Sequence, residues 1–456
     1  MFSRDVLKSR LGVEAAVSSE MAGALETWGL LYKNQAGWLN KFVRSMNLPA
    51  AVAGELANLA TLELKVQVAG ATPRAAFLQA QMAQVLPRLR QMIEYGNAKG
   101  GLLLKPWPGP AGLNVDFVQA DQFLPLAFDA AGNITACIFF ERQQQGREHL
   151  TRLEWHQFDA AAAQVTVRNL AFRSGSQAEL GTPVSLAACP AWAQMEPLAV
   201  IAGVRAPLYG YYRFPLANNV DPASPLGVSC YSRAVELFRQ ADELWSNLLW
   251  EFESGKRAIF ADVLAFDRDD EGRPILPDRR LYRALANSGA AIGEDGFFHE
   301  FTPAFREASI LSGLDAVLKK IEYNCGLAYG TLSDPQTQSK TATEIKISRQ
   351  RTYATVRGMQ QALASALDEL LYAMDVWATL YALAPEGAYS AIYDFDDSVV
   401  VDKDQQFQQD LRLVQQGVMS RVEFRMRNFG EDEASARARI AAVQGEDPAG
   451  QLFAGD

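Results

Sequence analysis

One segment of the chain is patterned as a single, very long helix, and this constrains the fold more than any other feature. It opens with Thr341-Ala342-Thr343-Glu344, a capping box in which the threonine hydroxyl accepts a backbone N–H and the glutamate reaches back to the cap. Apolar residues then recur at helical spacing from Tyr353 to Trp377, and the pattern ends near Leu383. At ~1.5 Å per residue this helix is ~60 Å long, well beyond the usual length in globular proteins.

Two further amphipathic helices precede it, and a short mixed segment separates them. Ser224-Pro225-Leu226 predicts the start of the first, because serine can cap free N–H groups and proline at the first helical position sacrifices no hydrogen bond. Ser254-Gly255-Lys256 ends it. Thr302-Pro303 predicts the start of the second helix, which stops near Gly330. Residues 257–301 carry strand-like runs and turns, so we expect a small α+β insertion between the two helices.

The remaining segments complete an α+β prediction. Residues 13–98 are mainly helical in pattern, and residues 101–200 consist of short β-branched and aromatic runs typical of strands. Residues 209–222 contain proline and asparagine and predict a loop. A short strand is expected within residues 391–401, followed by two or three amphipathic helices, one with a capping box at Ser420–Glu423.

Charge and composition restrict the partners that this chain can hold. The 456 residues carry a net charge of −10, whereas proteins that grip nucleic acid tightly have basic surfaces. Any contact with DNA is therefore expected to be weak or confined to a small basic patch. The four cysteines form no CxxC pair and predict reduced, buried thiols. Because no signal-peptide core and no uncharged apolar run of ~18 residues occurs, we expect a cytoplasmic origin and no membrane partner.

The sequence offers no motif for catalysis, and the expectation is a protein that is not an enzyme and holds no cofactor. Phosphate-binding loops, dinucleotide fingerprints and zinc-protease motifs do not occur. None of the three histidines has a metal-ligand partner at helical spacing, so no metal site is expected. The acidic run from Asp267 to Glu271 is interpreted as a solvated turn rather than a cation site.

A cluster of basic residues marks the beginning of the long helix. Lys346, Arg349, Arg351 and Arg357 face a single acid, Glu344. Such a face is usually only solvated, and the alternative is contact with DNA or with a neighbouring subunit. The polar loop before the helix, Thr331–Lys340, is long for a plain connection and offers hydrogen bonds with little charge.

Three stretches of this region resemble the portal proteins of tailed bacteriophages, in particular those of siphophages. Ser224-Pro225-Leu226-Gly227 is similar to the start of the helix that leads to the portal stem. Residues 326–333 (GLAYGTLS) are similar to the end of the second stem helix and the beginning of the tunnel loop. Residues 340–345 (KTATEI) are similar to the family's start of the long helix behind that loop.

The resemblance implies a portal fold with a mainly helical wing, two stem helices, a small α/β clip, a long wing helix and a helical crown. Residues would divide as follows: 1–222 wing, 223–255 first stem helix, 256–301 clip, 302–330 second stem helix, 331–341 tunnel loop, 342–401 long wing helix and strand, and 402–456 crown.

It also implies a function, with partners and site residues. The chain would form a ring, generally of twelve subunits, at one capsid vertex of the virion, through which double-stranded DNA passes during packaging and ejection. The clip would bind the terminase and afterwards a head-completion adaptor, and the ring would contact the major capsid protein or a scaffold. The DNA-channel residues would be Ser333, Gln336, Thr337, Gln338, Ser339 and Lys340. The clip residues that meet partners would be Arg257, Arg273, Arg279 and Arg280.

Two alternatives remain beside this reading. One is another structural, capsid-associated ring protein, which the size and shape of the assembly would distinguish. The other is an enzyme whose site has no known motif, which would require a pocket with convergent titratable groups.

Overall fold

The structure, a computed structural model, describes twelve stretches of the chain. They are residues 4–62, 64–109, 112–177, 179–255, 258–262, 267–271, 273–276, 282–285, 298–301, 304–334, 342–395 and 403–445. The chain divides into two compact units, residues 1–394 and 395–456. Within the described stretches, no helix is both long and apolar enough to span a bilayer.

The first hundred residues are mainly helical, as the sequence predicts. The elements are α1 (Arg4–Leu11), α2 (Ser19–Tyr32), α3 (Leu48–Thr61), β1 (Lys65–Ala69) and α4 (Pro73–Lys99). Ser18 and Thr72 cap α2 and α4, since each side chain accepts a backbone N–H from the first turn. Strand β1 is an exception to the prediction of helix.

Residues 101–213 form the strand-rich part of the first unit. The strands are β2 (Gly101–Gly109), β3 (Gly112–Gln119), β4 (Phe123–Phe128), β5 (Ile134–Gln145), β6 (Glu148–Asp159), β7 (Gln164–Ser174), β8 (Thr182–Val184), β9 (Leu198–Ala202) and β10 (Gly210–Arg213). Strands β4 to β8 are hydrogen-bonded in chain order, β9 also pairs with β7, and β10-β2-β3 form a separate sheet. Strand β10 corrects the prediction of a loop over residues 209–222. Its residues pair with β2, a long-range partner that no local pattern announces.

The long helix is present almost as predicted. Helix α7 runs over Ala342–Leu380, three residues short of the predicted end, and Thr341 of the capping box lies outside the described residues. Arg74 of α4 is fully buried and explains the end of α7. Its guanidinium donates to the Asp375 carboxylate and to the backbone oxygens of Ala384 and Pro385, at 2.7–3.2 Å. The sheet residue Gly210 lies against α7 so closely that a Cβ would come within 2.1 Å of a helix carbonyl.

Helices α5 (Val235–Ser254) and α6 (Glu307–Cys325) pack as an antiparallel pair. Both begin later than predicted. Residues 304–306 are not helical, and Thr302 and Pro303 lie outside the described residues. Between the two helices, β11 (Ala258–Asp262), β12 (Tyr282–Leu285) and β13 (Phe298–Phe301) form a three-stranded sheet with β11 at its centre.

The predicted helix start at Ser224 is wrong by eleven residues, and the reason is tertiary. Residues 224–234 run as irregular backbone over the C-terminal end of α4. Cys230 N–H donates to the Asn97 carbonyl at 2.9 Å, and Gly227 lies against Gly100 so closely that a Cβ would come within 2.0 Å of its oxygen. These contacts use backbone that a helix would have engaged internally.

The C-terminal elements follow the prediction. Strand β14 (Ser390–Asp394) pairs with β1 in the first unit. The second unit contains α8 (Lys403–Gln415), α9 (Arg421–Phe429) and α10 (Glu433–Gly445). Ser420 caps α9 by accepting the Glu423 N–H at 3.0 Å, which confirms the predicted cap. Phe407, Phe424 and Phe429 form its aromatic centre, with ring centroids 5.2–6.4 Å apart.

Candidate functional site

A buried carboxylate fixes the segment that leaves the end of α6. Glu322 is fully buried, and one of its oxygens accepts the backbone N–H groups of Gly330, Leu332 and Ser333 at 2.6–3.1 Å. The other oxygen accepts the Ser333 hydroxyl at 2.9 Å. We call this set of four hydrogen bonds the Glu322 anchor. A buried carboxylate is costly unless it is hydrogen-bonded, so the anchor holds residues 330–333 in one position relative to α6.

Two further contacts join the end of α6 to α7, one through a glycine and one through an arginine that packs on two tyrosine rings. Gly326 ends α6 with φ +74°, and an added Cβ would come within 2.3 Å of the Thr355 hydroxyl on α7. The Arg351 guanidinium of α7 lies over the rings of Tyr323 and Tyr329, 4.0 and 5.7 Å from their centroids. Both contacts join α7 to the end of α6.

Of the six predicted DNA-channel residues, the structure describes Ser333. Ser333 is buried at 4% exposure and its hydroxyl is bonded to Glu322, so it does not present that group to solvent in the subunit, and its assignment to the channel stays a prediction. Local sequence could not show this, because the partner lies on the preceding helix. Gln336, Thr337, Gln338, Ser339 and Lys340 lie outside the described residues.

The predicted basic face of α7 is only partly described. Arg351 is half-buried in its contact with Tyr323 and Tyr329, so it supports the fold of this region as well as carrying charge. The backbone positions of Lys346 and Arg349 lie on α7, but their side chains are outside the described set.

At the opposite end of the helix pair, an ion pair joins α5 to α6. Glu251 accepts hydrogen bonds from the Arg306 backbone N–H at 3.0 Å and from its guanidinium at 2.8 Å. Phe252 and Phe305 pack beside it, with centroids 5.8 Å apart. Side-chain and backbone hydrogen bonds from Arg306 lower the pKa of Glu251. The Glu251–Arg306 ion pair thus joins α5 to α6 at the end where the insertion leaves the two helices.

Of the four arginines predicted to bind partners in the insertion, the structure describes Arg273. Arg273 is exposed, and its backbone N–H donates to Asp269 at 2.7 Å within the acidic turn. Asp269 also accepts the Glu271 N–H, which identifies this run as a hydrogen-bonded turn. Arg257, Arg279 and Arg280 lie outside the described residues.

Large apolar side chains remain uncovered along the helix pair. Trp250, Phe252, Phe305, Leu311 and Tyr323 are 46–60% exposed. Trp250 and Phe252 belong to α5, and Leu311 and Tyr323 to α6. This set was not predicted as a surface, because the amphipathic pattern alone does not show which apolar residues the partner helix leaves exposed.

One arrangement has the residue types of a nucleophile with its base, but it lies in the core. Cys137 and His156 are cross-strand partners on β5 and β6, and the His156 ring is 2.7 Å from the Glu154 carboxylate. Cys137 is fully buried and His156 is 3% exposed, so substrate has no access. Burial raises the pKa of the Cys137 thiol, which disfavours the reactive thiolate. The described residues contain no cluster of three or more potential metal ligands.

No protein-family model and no curated protein matches the sequence. Among solved structures, the chain is similar to one described as "Neck of native GTA particle computed with C12 symmetry", with 13% identity and a TM-score of 0.45. It is also similar to one described as "Neck of empty GTA particle computed with C6 symmetry", with 12% identity and a TM-score of 0.43. Each likeness covers 93% of this chain and 97% of the other. At these values the likeness assigns no function.

Proposed function

We propose that this chain is the subunit of a portal ring, a structural assembly that conducts double-stranded DNA into and out of a phage capsid. The observation that carries the proposal is the antiparallel pair α5–α6 with a small sheet inserted at its Glu251–Arg306 end. The Glu322 anchor and the 39-residue helix α7 follow it. This is the order of stem, clip, tunnel loop and wing helix that the sequence resemblance implies.

The uncovered side chains of the helix pair favour assembly. A monomer rarely leaves a large contiguous apolar patch exposed, because fully burying a side chain such as Phe or Leu is worth roughly 1.5–3 kcal/mol. Neighbouring copies around a ring would cover Trp250 and Leu311, which are 60% and 47% exposed. A closed ring satisfies such surfaces without leaving a free end. We propose twelve subunits, as in the resembling family.

The electrostatics suit passage of DNA rather than its retention. The chain carries a net charge of −10, and each Lys or Arg contact with phosphate, repeated around a ring, would add to the affinity for DNA. A moving duplex needs weak contacts. We therefore propose that the loop 331–341 faces the DNA, with Gln336, Thr337, Gln338, Ser339 and Lys340 as the contacting side chains.

The three-stranded insertion is the proposed docking module. Of its loops, residues 267–271 and 273–276 are described and most of their side chains are exposed, and binding residues are commonly found in such loops. Arg257, Arg273, Arg279 and Arg280 are proposed to meet the terminase during packaging and the head-completion adaptor afterwards. The ring would sit at one vertex of the virion, in contact with the major capsid protein or a scaffold, after assembly in the host cytoplasm.

Electron microscopy of the purified chain tests the proposal most directly. We expect rings with a central hole wide enough for duplex DNA and a native mass of about twelve times 50.1 kDa. A monomer or dimer at all concentrations would exclude a portal. A ring too narrow for DNA would instead indicate another structural ring protein.

A further inference from the structure

Strand β9 lies at the edge of its sheet and leaves one row of main-chain groups unpaired. Among the described strands it pairs with β7 alone. The Asn169 N–H of β7 donates to the Pro197 carbonyl at 2.9 Å, so Pro197 points its main-chain oxygen toward β7. Because this orientation alternates along an antiparallel pair, every second residue of β9 points its N–H and C=O groups away from the sheet. These residues are Leu198, Val200 and Ala202, and we call them the β9 edge.

The β9 edge is held in place and is not protected. On its inner face Ile201 is buried with Val165 and Val167 against Ala373 of α7. A row of unpaired main-chain groups is a template for another strand, and proteins usually block it with a charge, an outward proline or a bulge. The five residues of β9 (LAVIA) carry no charge, and their register with β7 is unbroken. The β9 edge is therefore ready to accept a strand.

A second copy of β9 matches the β9 edge when it runs antiparallel. With Val200 opposite Val200 at the centre, Leu198 of each copy lies opposite Ala202 of the other, so the longest side chain meets the smallest. Each outward residue would exchange both of its main-chain hydrogen bonds with the residue opposite. The Leu198 and Val200 side chains, each 56% exposed, would be covered at the same time.

Charges just beyond the strand favour the antiparallel direction. Glu196 precedes β9 and Arg205 follows it, and both are exposed. Neither has an ion-pair partner among the described residues, although the Arg205 guanidinium lies 4.7 Å from the centroid of the Tyr372 ring. An antiparallel pair places Glu196 of each copy at the end where Arg205 of the other copy lies. A parallel pair would bring like charges together.

We infer that β9 of one copy pairs antiparallel with β9 of a second copy, so that the two sheets continue across a two-fold axis. The inference does not rest on the proposed ring. Neighbours in a cyclic ring present different surfaces to each other, whereas this contact uses the same surface on both sides. It would therefore join chains of two rings, or chains that are not in a ring.

Disulfide cross-linking of the full chain tests the pairing. Val200→Cys should give covalent dimers on oxidation, because residues directly opposite have Cα atoms ~5.5 Å apart, within the range of a disulfide. The four native cysteines are all buried. Val418→Cys replaces the same residue type at a position that is 72% exposed, so it is the matched control and should give no dimer. Equal yields from the two variants, or no dimer from Val200→Cys, would overturn the inference and leave the β9 edge to a strand of another protein.

A mixture of two variants tests the direction of the pair. Leu198→Cys and Ala202→Cys chains, mixed and oxidised, should give dimers that contain one chain of each kind. Leu198→Cys alone should give none, because the opposite residue is then alanine. Dimers from Leu198→Cys alone, and none of mixed kind, would show a parallel pair and refute the antiparallel one.

Substitutions at the centre of the β9 edge supply a second readout. Val200→Pro removes an N–H that faces away from β7, so the fold should persist while pairing is lost. Val200→Lys should also lose pairing, because two like charges would stand directly opposite each other. Val200→Thr keeps the β-branched shape and the N–H, and should pair as wild type does. Sedimentation should show wild type and Val200→Thr at double the mass of the other two variants, and equal masses in all four would refute the pairing.

Electron microscopy of the same proteins keeps the two proposals apart. Val200→Pro and Val200→Lys should still form the proposed ring, as single rings. Absence of rings from every protein would refute the portal proposal, while the cross-links would still decide the pairing of β9.

Discussion

At the scale of single residues, the buried Glu322 carboxylate holds the backbone of residues 330–333 against α6. The carboxylate accepts hydrogen bonds from three N–H groups and one hydroxyl next to α6. We predict that Glu322→Ala lowers the free energy of unfolding by roughly 2–5 kcal/mol, because two buried donors of Ser333 and two part-buried backbone donors lose their acceptor. Chemical denaturation followed by tryptophan fluorescence measures it.

The conservative change separates hydrogen bonding from charge. Glu322→Gln keeps one acceptor oxygen for the three backbone donors, so its loss should be clearly smaller than that of the alanine variant. Glu236→Ala, an exposed acid at the start of α5, is the control and should change stability by less than ~0.5 kcal/mol. Equal losses for all three variants would show that the anchor adds nothing.

Arg74 carries a comparable role at the end of α7. It is fully buried, and its guanidinium donates hydrogen bonds both to Asp375 of α7 and to the Ala384 carbonyl after the helix. Arg74→Ala should cost about 3–5 kcal/mol, since Asp375 and two carbonyls lose their donor. Arg74→Lys should recover little, because an ammonium cannot reproduce the planar fork. The control is Arg239→Ala, an exposed pair with Glu243. Thermal unfolding of the four proteins decides, and an unchanged midpoint in Arg74→Ala contradicts the assignment.

At the scale of elements, the helix pair should respond to acid through Glu251. Its pKa is lowered in the folded state by hydrogen bonds from Arg306, so its contribution to stability is present above the ordinary value of 4.5. That contribution is lost as the pH falls through the lowered pKa. We predict that Glu251→Gln reduces protection of α5 and α6 amides from hydrogen exchange at neutral pH.

The same comparison at low pH supplies the control. Below the lowered pKa the wild-type carboxyl is protonated and resembles the amide, so the difference between wild type and Glu251→Gln should vanish. A difference that is equal at both pH values would mean that the side chain acts through packing rather than through its charge.

The elements also show what the sequence could and could not predict. Helix α7 was predicted to within three residues at its end, because its apolar repeat is long and uninterrupted. The start of α5 was placed at Ser224, whose capping signal is genuine but is outcompeted by contacts of residues 227–230 with the end of α4. The burial of Ser333 could not be predicted, because it depends on Glu322, which only the folded chain brings near.

At the scale of the whole molecule, the proposal concerns what many copies do together. One Lys340 is a single point charge, whereas a ring presents one from every subunit, and a lysine contact with phosphate carries no sequence information. We predict that Lys340→Glu leaves ring assembly unchanged and reduces the DNA packaged or retained per particle.

Two measurements on the same particles check this. The mass of the purified ring should match wild type, while the DNA content of particles carrying the variant should fall. Lys340→Arg, which keeps the charge, is the matched control and should package normally. Normal DNA content in the glutamate variant would remove Lys340 from the proposed channel.

The Glu322 anchor has a consequence for how such proteins can diversify. Three of its four hydrogen bonds are donated by main-chain N–H groups, which every residue except proline supplies. The Glu322 anchor therefore depends little on which side chains occur at residues 330–333. Exchange of the sequence after residue 334 should therefore leave residues 330–333 where they are, so that the chemistry of the following segment can change between lineages without loss of the anchor.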